Sequence, residues 1–309
     1  MMNHSFRSSV KAFLPQPAVD SIRNLKGALR RLQMRRTRRI FERAPAAPSC
    51  RGIDLLRTLQ RKYPFPPEYG YDAKSYEDRG IERTQEILRL PGAREATSFL
   101  ELGCADGMVS CVLCRKGKNA TAIDNSAARF DERAFRGGVR ILQMDAAQMA
   151  FGDETFDFVF SYDAFEHFVE PERVLQEIIR VSRKGGHVYL NFRPLYMSPY
   201  GEHAYRSITV PYCQFLFPKS LINDFAYQEG LPLINFRHVN GWSLQNYRQL
   251  WNSYSHMLIK IRYHEHLDLS HLNLIRKYLS SFRSNSSCFD EFVVSSIEVL
   301  FEKTDEGRA

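Results

Sequence analysis

From residue 98 onward the chain alternates short apolar runs with helical stretches, and this alternation constrains the fold more than any other feature. The runs are SFLEL (98–102), ATAID (120–124), VRILQM (139–144), FDFVFS (156–161) and HVYLNF (187–192). Strands that alternate with helices form parallel βαβ units in a sheet covered on both faces. Further on, PKSLINDFAYQEG predicts a helix from Ser220 to Gly230, and LINFRHV and SSIEVLFEK predict two more strands with about 50 mostly helical residues between them. The expected architecture is α/β, a seven-stranded, mostly parallel sheet with helices on both faces. Its core spans 98–192 and 218–303, with a helical insertion at about 241–290.

Ahead of the sheet, SYEDRGIERTQEILRL predicts a helix with Ile81, Thr84 and Leu88 inward, stopped by Pro91-Gly92. APAAP (44–48) and YPFPPEYGY (63–71) read as linkers, so residues 63–309 form the domain and 1–62 an extension. That extension is basic. It holds 15 Lys and Arg against 3 Asp and Glu, which leaves 28 against 32 for the rest of a chain whose formal charge is +8. A nucleic-acid surface around the whole fold is therefore not indicated. Residues 21–43 place Ile22, Leu25, Leu29 and Leu32 at helical spacing among arginines. This basic amphipathic helix has three readings: a solvated tail, a helix lying on anionic membrane lipid, and an RNA-binding arm. The first acid is Asp20, so an organelle-targeting sequence is a further reading of the start.

A chain of 309 residues, 44% of them hydrophobic, reads as a soluble globular protein. No run reaches the ~18 apolar residues of a membrane span, and the six irregularly spaced cysteines do not form a disulfide framework. The expected location is a reducing cytosol, with peripheral contact to anionic membrane as one of the readings of residues 21–43. Oligomeric state is not legible.

FLELGCADGM (99–108) takes an apolar strand through an acid and a tight turn into a helix. A dinucleotide fingerprint fails here, because Ala105 and Met108 stand where its second and third glycines belong, and no Gly-Lys-Ser/Thr follows for a phosphate loop. A turn with no ligand remains the competing reading. Two acids weigh against it: Asp124 ends the second strand and Asp145 follows the third. Ligands of open α/β sheets sit beyond the carboxyl ends of the strands. A carboxylate at Asp124 can accept from both hydroxyls of a ribose, and one at Asp145 from an adenine amino group.

With FLELGCADG, AIDNS, MDAAQMAF, FDFVFSYDAFEHF and VLQEIIRVSRKGGHVYLNF in order over about 98–192, the chain resembles the class I S-adenosylmethionine-dependent methyltransferases, in particular the ubiquinone/menaquinone-methyltransferase-like (type 11) family. The resemblance implies a Rossmann-like fold and S-adenosyl-L-methionine as cofactor. It implies that Glu101, Gly103, Cys104, Ala105 and Gly107 surround the methionine part, that Asp124 and Asn125 meet the ribose, and that Asp145 and Ala146 border the adenine. Ser161 and Tyr162 close the same site. Many relatives carry glycine at the position of Ala105, whose methyl crowds the turn.

A sulfonium methyl is already activated, so positioning supplies much of the rate. An alcohol acceptor still needs a base. His167, with Tyr162, Asp163 and Glu166 nearby in sequence, is one candidate, against a reading as capping and packing. His203 is the other, in RPLYMSPYGEHAYRSITVPYCQFLFP, where Tyr196, Tyr200, Glu202 and Tyr205 can cover a sugar or ring. SPYGEHAY followed by FLFP also looks like methyltransferases of bacterial cell-surface glycan synthesis. No metal is expected: Cys111 and Cys114 lack a second pair, and His264 and His266 in RYHEHLD read as a solvated helix. The fourth strand lacks the Asn/Asp-Pro-Pro-aromatic sequence of amino methylation, which disfavours nucleic acid as a partner. The expected function is O-methylation of a small molecule or cell-surface glycan precursor. The alternatives are a non-catalytic binding protein of the same fold and an RNA methyltransferase using the basic arm.

Overall fold

The computed structural model describes residues 16–48, 51–65 and 70–304. It divides into two compact units, Met1–Ser49 with Leu269–Phe289, and Cys50–Asp268 with Asp290–Ala309.

The first unit is built on helix α1 (Gln16–Arg43). Thr37 and Phe41 are buried on one of its faces. The Phe41 ring meets Phe289 edge-on at 5.5 Å and lies under the Arg283 guanidinium at 5.3 Å. The adjoining face exposes Leu29, Leu32 and Ile40. The side chains of Ile22 and Leu25, and the proposed targeting stretch before residue 16, fall outside the described residues.

In the second unit, α2 (Ile53–Gln60) buries Leu56 and Leu59, and Gln60 bridges the Ser207 carbonyl and the Thr209 amide. Helix α3 (Ala73–Ile87) is capped by Asp72 and buries Gly80, Thr84 and Ile87. The expected inward stripe is thus corrected: Ile81 is exposed, because Gly80 brings the helix backbone onto Met108, where a Cβ would lie 2.8 Å from a carbonyl.

The sheet then follows as β1 (Ser98–Leu102), α4 (Met108–Arg115), β2 (Asn119–Asp124), α5 (Glu132–Arg136), β3 (Arg140–Gln143), β4 (Phe156–Tyr162), α6 (Pro171–Val181) and β5 (Ser182–Phe192). After α7 (Cys213–Leu216), α8 (Lys219–Gln228) and α9 (Leu244–Ser253) come β6 (Leu258–Leu267), the short helices α10 (Leu272–Lys277) and α11 (Leu279–Arg283) of the first unit, α12 (Asp290–Val293) and β7 (Val294–Lys303). The strand order is β3-β2-β1-β4-β5-β7-β6, with β7 antiparallel to both neighbours. Central strands are buried along nearly their whole length, as a sheet covered on both faces requires. One core packs Val174, Leu175, Ile178 of α6 and Trp251 of α9 against it. The other packs Ile87 and Val109 against the opposite face.

Two strand assignments need correction. Residues 233–239 (LINFRHV) are not a strand, and the place beside β7 is taken by β6, inside the stretch expected to be a helical insertion. The Asn235 and Asn240 side chains accept from the Arg237 and Trp242 amides, local turns that compete with a ladder. His264 and His266 accordingly alternate along an edge strand instead of a helix, and its charged, exposed residues are those that blunt a sheet edge.

Candidate active site

Beyond the carboxyl ends of β1, β2, β3 and β4 opens a cleft of about 1800 Å³. That exceeds the roughly 300–1,000 Å³ of a single small-molecule pocket, so there is room for two ligands. One end of the cleft is shaped by the turn after β1. Gly103 and Gly107 adopt φ of 68° and 75°, and a Cβ on Gly103 would stand 2.4 Å from that of Ala164. The backbone there makes a cradle that a side chain would fill. Ala105, with φ of 50°, holds the left-handed conformation that favours glycine.

Asp124 fastens this turn. Its Oδ2 accepts from the Ala105 amide at 3.0 Å and its Oδ1 from the Ser126 amide at 3.0 Å. Asp145 accepts from the Ala147 amide at 2.8 Å. Glu101 is buried and takes both the amide and the hydroxyl of Ser110 on one oxygen. Burial pushes its carboxyl up to about 8, although the Ser110 donors pull the other way.

Glu101, Gly103, Cys104 and Ala105 line the cleft, as do Asp124, Asn125, Asp145, Ala146 and Tyr162. Gly107 and Ser161 do not. Gly107 begins α4, and Ser161 turns inward, donating to the Leu102 carbonyl at 3.0 Å. The sequence reading missed the wall formed by α3, where Tyr76, Arg79, Gly80 and Arg83 face the cleft at helical spacing. Arg83 pairs with Asp163 and lies 4.8 Å over the Tyr162 ring, and Arg79 stands 3.9 Å from Asp106.

The other end gathers His167, His203 and a third imidazole, His238, from the segment first read as a strand. His167 and His203 rings meet edge-on at 4.8 Å, and His238 lies 4.5 Å from His167. His167 Nδ1 donates to the His238 carbonyl at 2.7 Å, and His203 Nε2 to the Pro194 carbonyl at 3.2 Å. These bonds place a lone pair on His167 Nε2 and on His203 Nδ1. Burial pushes all three down, His203 to about 3 with help from His167, so the cluster is neutral at pH 7.

Two buried carboxyls complete this end. Neither oxygen of Glu166 nor of Glu202 has a hydrogen-bond partner. Burial raises Glu166 well above the carboxylate range, with the amides of Glu166 and Arg193 near enough only to moderate it, and pushes Glu202 up to about 7. Asp163 and His203 hold positive φ of 47° and 53°, strain of the kind that gathers at working sites.

Residues 100–190 match the model of a methyltransferase domain. The chain is 32% identical over 142 residues to phosphatidylethanolamine N-methyltransferase of Cereibacter sphaeroides, a match covering 44% of this chain and 68% of that protein. To ubiquinone biosynthesis O-methyltransferase of Alkalilimnicola ehrlichii it is 27% identical over 123 residues, 38% of this chain and 50% of that one. Among solved structures, the PH0226 protein of Pyrococcus horikoshii OT3 superposes with a TM-score of 0.49 at 17% identity, covering 77% of this chain and 96% of that one.

Proposed function

The chain belongs to the class I S-adenosylmethionine-dependent methyltransferases of the type 11 domain family, and from this premise we propose that its acceptor is a hydroxyl on a polar small molecule or glycan precursor. The observation that carries the proposal is the cluster of neutral imidazoles in the cleft that Asp124 and Asp145 also line. When bound, S-adenosylmethionine supplies an activated methyl on a sulfonium. The chain's residues do the rest. Glu101 and the 103–105 turn receive the methionine part, Asp124 the ribose and Asp145 the adenine. Transfer to a hydroxyl leaves one proton to be taken up, and His167 and His203 present lone pairs for it. Tyr71, Tyr200 and Tyr205 with Arg129 and Arg206 line the same end, a surface of aromatic faces and donors suited to a sugar or a ring with anionic groups.

Mass spectrometry of a cell extract incubated with the protein and isotopically labelled S-adenosylmethionine tests this. Label in a methyl ether or ester of a polar product supports it. Label confined to nitrogen or carbon overturns the oxygen assignment, and no labelled product favours a binding protein without turnover.

A second reading concerns α1, whose Leu29, Leu32 and Ile40 are 52%, 45% and 42% exposed among arginines. An exposed apolar face ringed by positive charge fits the surface of an anionic bilayer. No helix among the described residues is long and apolar enough to cross a membrane. Wild type then sediments with anionic but not neutral vesicles and is released by salt, and the Leu29→Ser/Leu32→Ser variant stays in solution. An RNA arm would tolerate the leucine changes.

A further inference from the structure

The three histidines come from separate stretches of chain. His167 follows β4, His203 sits in the long loop after β5, and His238 lies between α8 and α9. Their convergence is built. The loop carrying His238 is stitched to the 165–167 turn by the His167 bond to the His238 carbonyl, by the Asn240 amide to the Glu166 carbonyl at 2.9 Å, and by the Asn240 side chain to the Phe165 carbonyl at 3.2 Å. One nitrogen from each of the three rings lies within 4.8 Å of the others.

We propose that His167, His203 and His238 bind one divalent transition-metal ion of the zinc class, with Glu166 compensating its charge. Metal-ligating histidines characteristically donate the other ring N–H to a carbonyl or carboxylate, which fixes the tautomer. His167 and His203 both do so, which leaves Nε2 of one and Nδ1 of the other as the nitrogens able to ligate. Three imidazoles select zinc, iron, copper or nickel over magnesium or calcium. Nitrogens about 2.0–2.1 Å from an ion are roughly 3.5 Å apart, so each ring moves inward by less than about 1 Å. Independent support comes from Glu166. Its carboxyl is 2% exposed, has no hydrogen-bond partner, and places Oε1 3.9 Å from His167 Nε2. A buried carboxyl is costly without a partner, and a dication is one it can have. Arg129 and Arg206 act against a cation here; Asp163 and Glu166 act for it.

The proposal rests on the reading of this end as the acceptor site and refines it: the lone pairs of His167 and His203 go to the cation instead of the proton, and an open position on the ion holds an acceptor oxygen and eases loss of its proton to solvent. The binding itself does not depend on turnover. Full-length protein, stripped with a chelator, is titrated with Zn²⁺ by calorimetry and with Co²⁺ by visible absorption. One ion per chain at micromolar affinity or tighter, with cobalt bands of low coordination number, is expected. His203→Ala and the exposed His238→Ala each weaken zinc at least tenfold, and Glu166→Gln about 10- to 100-fold, with circular dichroism and S-adenosylmethionine affinity unchanged. The double variant His264→Ala/His266→Ala, on the remote edge strand, binds as wild type. Absence of stoichiometric binding, or binding indifferent to both His203→Ala and His238→Ala, overturns the proposal. Either result leaves the methyl-transfer reading standing, since cofactor affinity and product labelling are measured separately.

Discussion

The two ends of the cleft are held together differently. At the cofactor end the carboxyl groups already have backbone partners: Asp124 ties the turn after β1 to the end of β2, and Asp145 caps the turn after β3. At the acceptor end Glu166 and Glu202 are buried without hydrogen bonds, and three imidazoles gather within 4.8 Å of one another. A site whose polar groups are satisfied by its own backbone is organised before a ligand arrives. A site with orphaned polar groups stores an interaction that only a ligand completes. The contrast supports the proposed division, with a constant ligand at one end and a variable one at the other.

The largest expected effect separates the ends by affinity and turnover. Two charged hydrogen bonds contribute roughly 1.5–3 kcal/mol each, so Asp124→Ala weakens S-adenosylmethionine by about a hundredfold or more in calorimetry. It also lowers thermal stability, because the Ala105 and Ser126 amides lose their acceptor. His203→Ala loses roughly 100-fold or more in turnover with cofactor affinity unchanged. If both variants fail in the same measurement, the division into two ends is wrong.

A second prediction sharpens the cofactor end through Glu101. Its carboxyl is raised from 4.5 to about 8 by burial, so at pH 7 the free protein carries that proton. A cationic ligand beside it favours the ionised form, and binding releases close to one proton. Affinity then improves about tenfold per pH unit up to about 8 and levels off above it. The sign for the free protein is opposite. A raised carboxyl gives stability that is fully present below 4.5 and is lost as pH rises through about 8. Calorimetry at pH 7 in phosphate and in Tris reads the proton directly; identical heats would remove Glu101 from contact with the ligand.

The same difference explains what could be read from sequence. The cofactor end lies within about 50 residues, and its demands leave local marks: glycines at positive φ, acids ending successive strands. Gly107 and Ser161 belong to the motif by position but serve helix α4 and the β1–β4 contact. The acceptor end is assembled from the turn after β4 and two long loops, and no periodicity states where a loop will run. His238 was hidden because LINFRHV has the composition of a strand, whereas the side chains of Asn235 and Asn240 turn it into a loop. β6 did leave a signal. Ile259, Ile261 and Tyr263 alternate with charged residues, the period of a half-buried strand.

The smallest expected effect tests whether strain has the same meaning at both ends. Ala105, Asp163 and His203 all sit at positive φ, but only Ala105 has a side chain with nothing to contribute beyond a methyl. Left-handed backbone costs an L-residue about 1–2 kcal/mol, and glycine returns about 0.4–1 kcal/mol of that through the freer unfolded chain. Ala105→Gly therefore gains about 0.5–1 kcal/mol, or roughly 1–4 °C in Tm for a unit of this size. The amide bond to Asp124 survives the change, so cofactor affinity holds or rises a few fold. At His203 the same relief removes an imidazole, and turnover falls whatever stability does. A loss of stability in Ala105→Gly would mean that the alanine methyl packs usefully in the turn, and the strain at the cofactor end would then be retained for a contact, as it is at the acceptor end.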